Sequence, residues 1–151
     1  LAAVLAGQKM NKAMLADTNI LIRLFVKDDD VQIEQLVRLI EQGGTTFYVL
    51  SLVLIEAYWV LRRVYSFERD VILRVYEDFI ESDGVELEED SLMQRVLARF
   101  RGVNVDFVDV YLAEKSRSLE LPILTWNSKD FKKLNCEFYR PQDLNRLPYP
   151  L

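Results

Sequence analysis

The 151 residues are enough for one domain with a sizeable core, and half of them are apolar while 28% are charged, the balance of an ordinary globular chain. A net charge of −5 and a pI near 4.9 exclude a protein that coats nucleic acid electrostatically, though not an enzyme with a basic rim around an acidic centre. There is no histidine, which removes Ser-His and Cys-His nucleophiles and histidine-held zinc or haem, and the lone Cys136 permits no intramolecular disulfide and suits a reducing cytoplasm. Chemistry at any site must therefore rest on carboxylates, with Lys, Tyr or Ser as lesser options.

Residues 1–13, LAAVLAGQKMNKA, read as a leader or expression remnant, with Met10 and Met14 as alternative starts. Their apolar part is too short to span a membrane and lacks a preceding basic segment. No later window is apolar enough for a span, so the expected location is the cytoplasm. "MLADTNILI" (14–22) follows, and 14–17 reads as a short buried strand that ends on Asp17. A buried ionised carboxylate without a partner costs several kcal/mol or more, so Asp17 must be exposed, paired or on a cation. The plainer role is a cap on the next helix or turn, with Thr18 and Asn19 as turn formers.

Asp28-Asp29-Asp30 then places negative charge at a helix start, Ile33, Leu36, Val37 and Ile40 recur at helical spacing, and Gly43-Gly44 supplies the stop. "TTFYVL" (45–50) has the β-branched and aromatic composition of a strand. Ser51 is expected to cap a helix to about Tyr65, in which Glu56 is the only charge of "SLVLIEAYWVL". A helix apolar on nearly every side is deeply buried or covered by a partner, so its acid needs compensation, either from a site or from a structural arginine.

A further helix spans about 68–81 with Val71, Ile72, Val75, Tyr76 and Phe79 inward, and "GVELEE" gives a short strand near 85–88. Asp90 is placed to cap a helix whose Leu92, Met93, Val96, Leu97 and Phe100 share one face. From about Asp106 to Leu119 runs another helix, with Asp106 and Asp109 on neighbouring positions of its first turn. N-terminal stabilisation explains either acid, but two exceed what a cap needs. "PILT" (122–125) reads as a buried strand, and "TWNSKDF" sets Thr125, Asn127 and Ser128 at its carboxyl end with Asp130 close behind. A turn with Ser128 as helix cap is the plain reading there. "CEFY" (136–139) is a last strand, and the tail beyond Pro141, with Pro148 and Pro150, is expected to lie extended.

Strands alternating with helices predict an α/β domain with a mainly parallel sheet, whose ligands bind at the carboxyl ends of the strands. Convergent acids repel unless a cation holds them, and a hard divalent ion with oxygen ligands fits such a set without histidine.

The stretches "MLADTNILI", "SLVLIEAYWVL", "DFVDVYLAEKS" and "ILTWNSKDF", in this order, resemble the PIN domain family, and within it the VapC-type ribonuclease toxins, over about residues 14–145. The resemblance implies a three-layer α/β/α fold, a nuclease domain at 14–145 and a C-terminal tail at 146–151. It implies Mg²⁺- or Mn²⁺-dependent endonucleolytic cleavage of RNA, a homodimer, and a small antitoxin that blocks the site. By position, Asp17, Glu56 and Asp109 correspond to the family's metal-binding acids and Asp106 to an accessory acid. Asn127 stands where the family often carries aspartate, so Asn19, Thr125, Asn127 and Asp130 are the accessory candidates. Arg23, Lys27, Lys129, Lys132 and Lys133 flank the acids as candidate RNA contacts. Two rivals stand beside this reading: a PIN-like binding module without strong catalysis, and a metal-dependent phosphatase with an aspartate nucleophile. Enzymes of the second kind commonly carry another acid two residues on, where this chain has Asn19.

Overall fold

Short β-rich segments that pair in parallel need long crossovers, and here helices supply them. The structure, a computed structural model, describes residues 12–42 and 44–144. The leader to residue 11, Gly43 of the expected helix stop, and the tail with Pro148 and Pro150 lie outside the described residues. The chain divides after Asp90 into two units.

In the first unit, β1 (Lys12–Leu15), β2 (Thr45–Val49) and β3 (Val85–Leu87) form a parallel sheet in the order β1-β2-β3. Met14 pairs with Phe47 and Phe47 with Val85. The helices are α1 (Thr18–Val26), α2 (Asp30–Glu41), α3 (Ser51–Arg63) and α4 (Arg69–Ile80). Asp29 caps α2 by accepting from the Gln32 N–H, and the expected acidic start is thus present. Gly84 enters β3 with φ +80°, and a Cβ there would stand 2.8 Å from Ile40 Cγ2, so the tight approach of α2 to this turn requires glycine. The core lies between the sheet and the helices, around Leu21, Val49, Leu54, Leu61, Ile72 and Tyr76. Tyr76 donates its hydroxyl to Leu54 O at 2.6 Å, which satisfies a group whose burial pushes its pKa well above the ordinary value. Phe25 meets Phe79 edge-on at 5.1 Å.

The second unit begins one residue into α5 (Asp90–Gly102) and contains α6 (Phe107–Leu119), β4 (Ile123–Leu124), α7 (Ser128–Lys133), β5 (Phe138–Tyr139) and α8 (Pro141–Leu144), with β4 and β5 again parallel. All five residues of the stripe expected in α5 are buried, and Phe100 packs edge-on against Phe107 at 5.4 Å. The α/β class and the parallel pairing expected from the sequence are both present.

Several local expectations need correction. The strand at 14–17 runs instead from 12 to 15, and all four of its residues are exposed, because β1 is the edge of the three-stranded sheet. Ser51 does not cap α3: Leu50 holds the cap position without a side-chain bond, and Ser51 Oγ donates instead to Glu89 Oε1 at 2.8 Å. Asp90 is the first residue of its helix rather than a residue ahead of it. Of "PILT", Ile123 is buried but Leu124 is 63% exposed. Pro141 begins a helical turn rather than an extended tail, with Asp143 accepting from the Arg140 N–H and guanidinium.

Candidate active site

In the first unit the parallel strands place their carboxyl ends on one edge, and Asp17 follows β1 there. Its backbone is extended, and its Oδ1 accepts from the Thr18 N–H at 2.7 Å as the cap of α1. Capping and exposure thus answer how the chain tolerates an acid at this point. Asn19 is exposed and lines a cleft of about 430 Å³ between α1 and α2 with Arg23, Gln32 and Leu36.

Glu56 departs from expectation. It is exposed, not buried, because α3 turns Leu54, Ala57, Tyr58 and Leu61 to the core and Leu52, Glu56 and Trp59 outward. Among the described residues no arginine pairs with it, and its Oε2 accepts from Thr18 Oγ1 at 2.7 Å. Thr18 itself is buried, 7% exposed. Asp17 and Glu56 are therefore linked through one residue: its N–H serves the first acid and its hydroxyl the second. Thr18 was legible in sequence only as a turn former, since its second partner lies 38 positions away.

In the second unit, Asp106 occupies the cap position of α6, yet its side chain makes no capping bond. Asp109, half-buried one turn on, has a carboxyl pKa raised above the ordinary value, first by burial and then by the negative charges of Asp106 and Asp130. Asp109 has neither the cap bond nor an ion pair among its described contacts. Helix-end stabilisation accounts poorly for such an arrangement.

At the end of β4, Thr125 Oγ1 accepts from the Asn127 N–H at 2.9 Å and shapes the turn. Asn127, not Ser128, caps α7: its Oδ1 accepts from the Asp130 N–H at 3.3 Å and its Nδ2 donates to Asp130 Oδ2 at 3.0 Å. Its amide is thus committed to holding Asp130, which also faces Lys133 Nζ at 4.0 Å.

A different acid of this unit has the opposite fate. Glu114, 6% exposed, pairs with Arg117 and lies 3.9 Å from Arg95. Arg117 in turn donates to Leu134 O and, at 2.9 Å, to Asn135 O, so the pair ties α6 to the end of α7. The spacing of Glu114 and Arg117, three apart on a helix, is the signal that could have shown this pair in the sequence.

All the candidate donors are oxygen atoms, the set preferred by hard divalent cations over zinc or copper. Within neither unit do three His, Cys, Asp or Glu side chains among the described residues stand together as a ready metal-holding group. The charge repulsion on Asp109 is nevertheless of the kind that a divalent cation relieves, so the donor chemistry fits such an ion.

A parallel α/β chain with acids at its strand ends defines a class of carboxylate-centred domains. The PIN domain model matches residues 14–135, and the chain belongs to the PIN domain family. PIN domains are generally nucleases and typically use divalent metal ions. Among curated proteins no match was found. Among solved structures, VapBC2 from Rickettsia felis bound to a DNA fragment from its promoter is similar at 18% identity and a TM-score of 0.37, over 85% of this chain and 98% of that one.

Proposed function

We propose that this protein is a VapC-type endoribonuclease that hydrolyses RNA phosphodiester bonds with Mg²⁺ or Mn²⁺. The observation that carries the reading is the family match over residues 14–135, which spans every candidate acid from Asp17 to Asp130. In this reading Asp17, Glu56 and Asp109 hold the cation. Asp106 adds negative charge beside Asp109, and Asn19, Thr125, Asn127 and Asp130 shape the rim. When bound, Mg²⁺ or Mn²⁺ supplies a water of lowered pKa and neutralises charge on the scissile phosphate. The chain's own carboxylates would hold the ion, and Thr18 and Asn127 order the acids beside them.

Lys129, Lys132 and Lys133 are the cations of this reading that meet the RNA backbone, and Lys133 already lies beside Asp130. Arg23 is paired with Asp28, and Lys27 ends α1 in a left-handed conformation, so these two are the weaker candidates. A homodimer is supported by the outward apolar residues of the α3 segment: Leu52 is 70%, Trp59 46% and Val64 69% exposed. Tyr58, by contrast, is core. An antitoxin partner is supported by a groove of about 400 Å³ between α1, α2 and α4, with Phe25, Ile40 and Val75 as its apolar wall and Lys27, Asp78 and Asp83 at its rim. Such a groove suits a short amphipathic segment.

No helix among the described residues is long and apolar enough to cross a membrane. The test is incubation of the purified protein with total RNA in Mg²⁺, in Mn²⁺ and in EDTA, followed by mapping of the new ends. Discrete ends that disappear in EDTA are expected. Intact RNA under all three conditions would leave a binding module instead, and phosphate release from small monoesters would favour the phosphatase.

A further inference from the structure

Thr18 is a small residue with an unusual pair of neighbours. Its N–H donates to Asp17 Oδ1 and its hydroxyl to Glu56 Oε2, both at 2.7 Å, so one buried residue holds two acids from two different helices' starts and faces. The acids themselves are exposed. An exposed glutamate on a helix surface ordinarily samples many rotamers and loses that freedom when it binds an ion. Thr18 imposes the restriction beforehand. Its β-branched side chain is stiff about χ1, and its burial leaves the hydroxyl little choice of direction. With Oε2 engaged as an acceptor, Oε1 and the remaining lone pair of Oε2 stay open to a cation.

We propose that Thr18 is a positioning residue, which fixes the Glu56 carboxylate relative to Asp17 and thereby raises the affinity of the site for a divalent cation. The inference rests on the metal-dependent reading above. It assigns Thr18 no contact with the substrate or the ion; its effect passes through Glu56.

The test uses the full chain and Mn²⁺ alone as the probe, with affinity measured by titration calorimetry or by the loss of the free-ion electron paramagnetic resonance signal. Thr18→Val removes the hydroxyl at nearly constant shape, Thr18→Ser restores it, and Glu56→Gln with the Thr18→Val/Glu56→Gln pair closes a cycle. Thermal melting in EDTA is followed for each protein. Thr18→Val is expected to weaken Mn²⁺ binding about tenfold, the size usual for a group that orients a metal ligand. Thr18→Ser should retain wild-type affinity, and Thr18→Val should add nothing to the loss in Glu56→Gln. If Thr18→Val does not fold, Thr18→Ala carries the same comparison. Wild-type Mn²⁺ affinity in the valine variant overturns the inference while leaving the metal-dependent reading intact, even if its melting temperature drops. An equal loss on the Glu56→Gln background also overturns it. Failure of the wild-type protein to bind Mn²⁺ at all overturns the metal-dependent reading and this inference with it.

Discussion

The acids of the two units are held in opposite ways. Around Asp17 and Glu56, each carboxylate accepts a hydrogen bond from Thr18. Around Asp109, burial and two neighbouring acids all work against ionisation, and Asp106 does not even use its capping position. The first arrangement is satisfied as it stands. The second carries unrelieved repulsion that a bound cation would remove. The acids of the first unit are organised by donors built into the fold, whereas Asp109 of the second carries repulsion that positive charge would relieve.

The largest effect expected in sharpening this contrast concerns Glu114, the acid of the second unit that is fully paired. Arg117→Met should destabilise the protein by about 3 kcal/mol, because it strands a buried carboxylate and releases the carbonyls at the end of α7. Urea denaturation in EDTA measures it. A loss within experimental error would mean that Arg95 alone suffices for Glu114, and the distinction between paired and unpaired acids would weaken.

Asp17→Ala comes next, with an expected cost of about 1 kcal/mol from the lost cap of α1. Asp17→Asn should cost less, since asparagine caps nearly as well. Asp109→Asn should move the other way and stabilise the metal-free protein at neutral pH, because it removes a charge that the fold disfavours. Destabilisation by Asp109→Asn to the extent seen for Asp17→Ala would erase the difference between the two regions.

How much of this was legible in the sequence depends on how far apart the interacting residues lie. Asp17, Glu56, Asp106 and Asp109 stood out because each interrupts or borders an apolar segment, and Asp130 because it closely follows the polar end of a strand; such signals are local. Gly84 could not be read in the same way, since its constraint comes from Ile40 on another helix. The start of α3 was misassigned to a Ser51 cap because its true acceptor, Glu89, is 38 residues away. Exposure of Glu56 was missed for a related reason: which face of an apolar helix turns inward is decided by what packs on it, not by its composition. The order of strands in the sheet likewise left β1 at an edge, although its apolar residues read as buried.

Asp109 also predicts a pH dependence. An acid with a raised folded pKa is neutral in both states below its ordinary value of 3.8, and there it costs nothing. As the pH rises, the unfolded chain releases the proton first, so stability falls until the folded carboxyl has also titrated. Melting temperatures in EDTA should therefore drop more from mildly acidic to neutral pH in wild type than in Asp109→Asn. Saturating Mg²⁺ should reduce that drop. Identical profiles for the two proteins would show that the Asp109 carboxyl is not strained by its neighbours.

The smallest expected effect lies at the basic rim. Lys132→Ala should weaken RNA binding uniformly across sequences and reduce its salt dependence by about one unit of slope at most. Fluorescence anisotropy with a single-stranded RNA at several salt concentrations reports it. An unchanged slope would place the RNA elsewhere.

The central claim is that acids from both regions serve one metal-dependent cleavage, despite their different physical states. It is tested most directly by RNA cleavage in Mg²⁺ by the wild-type, Asp17→Asn and Asp109→Asn proteins, each checked for folding by thermal melting in EDTA. Loss of cleavage by more than about a hundredfold in both variants, beyond the range usual for groups that only orient a ligand, is the predicted result, with both proteins folded. Undiminished cleavage in either folded variant would contradict it.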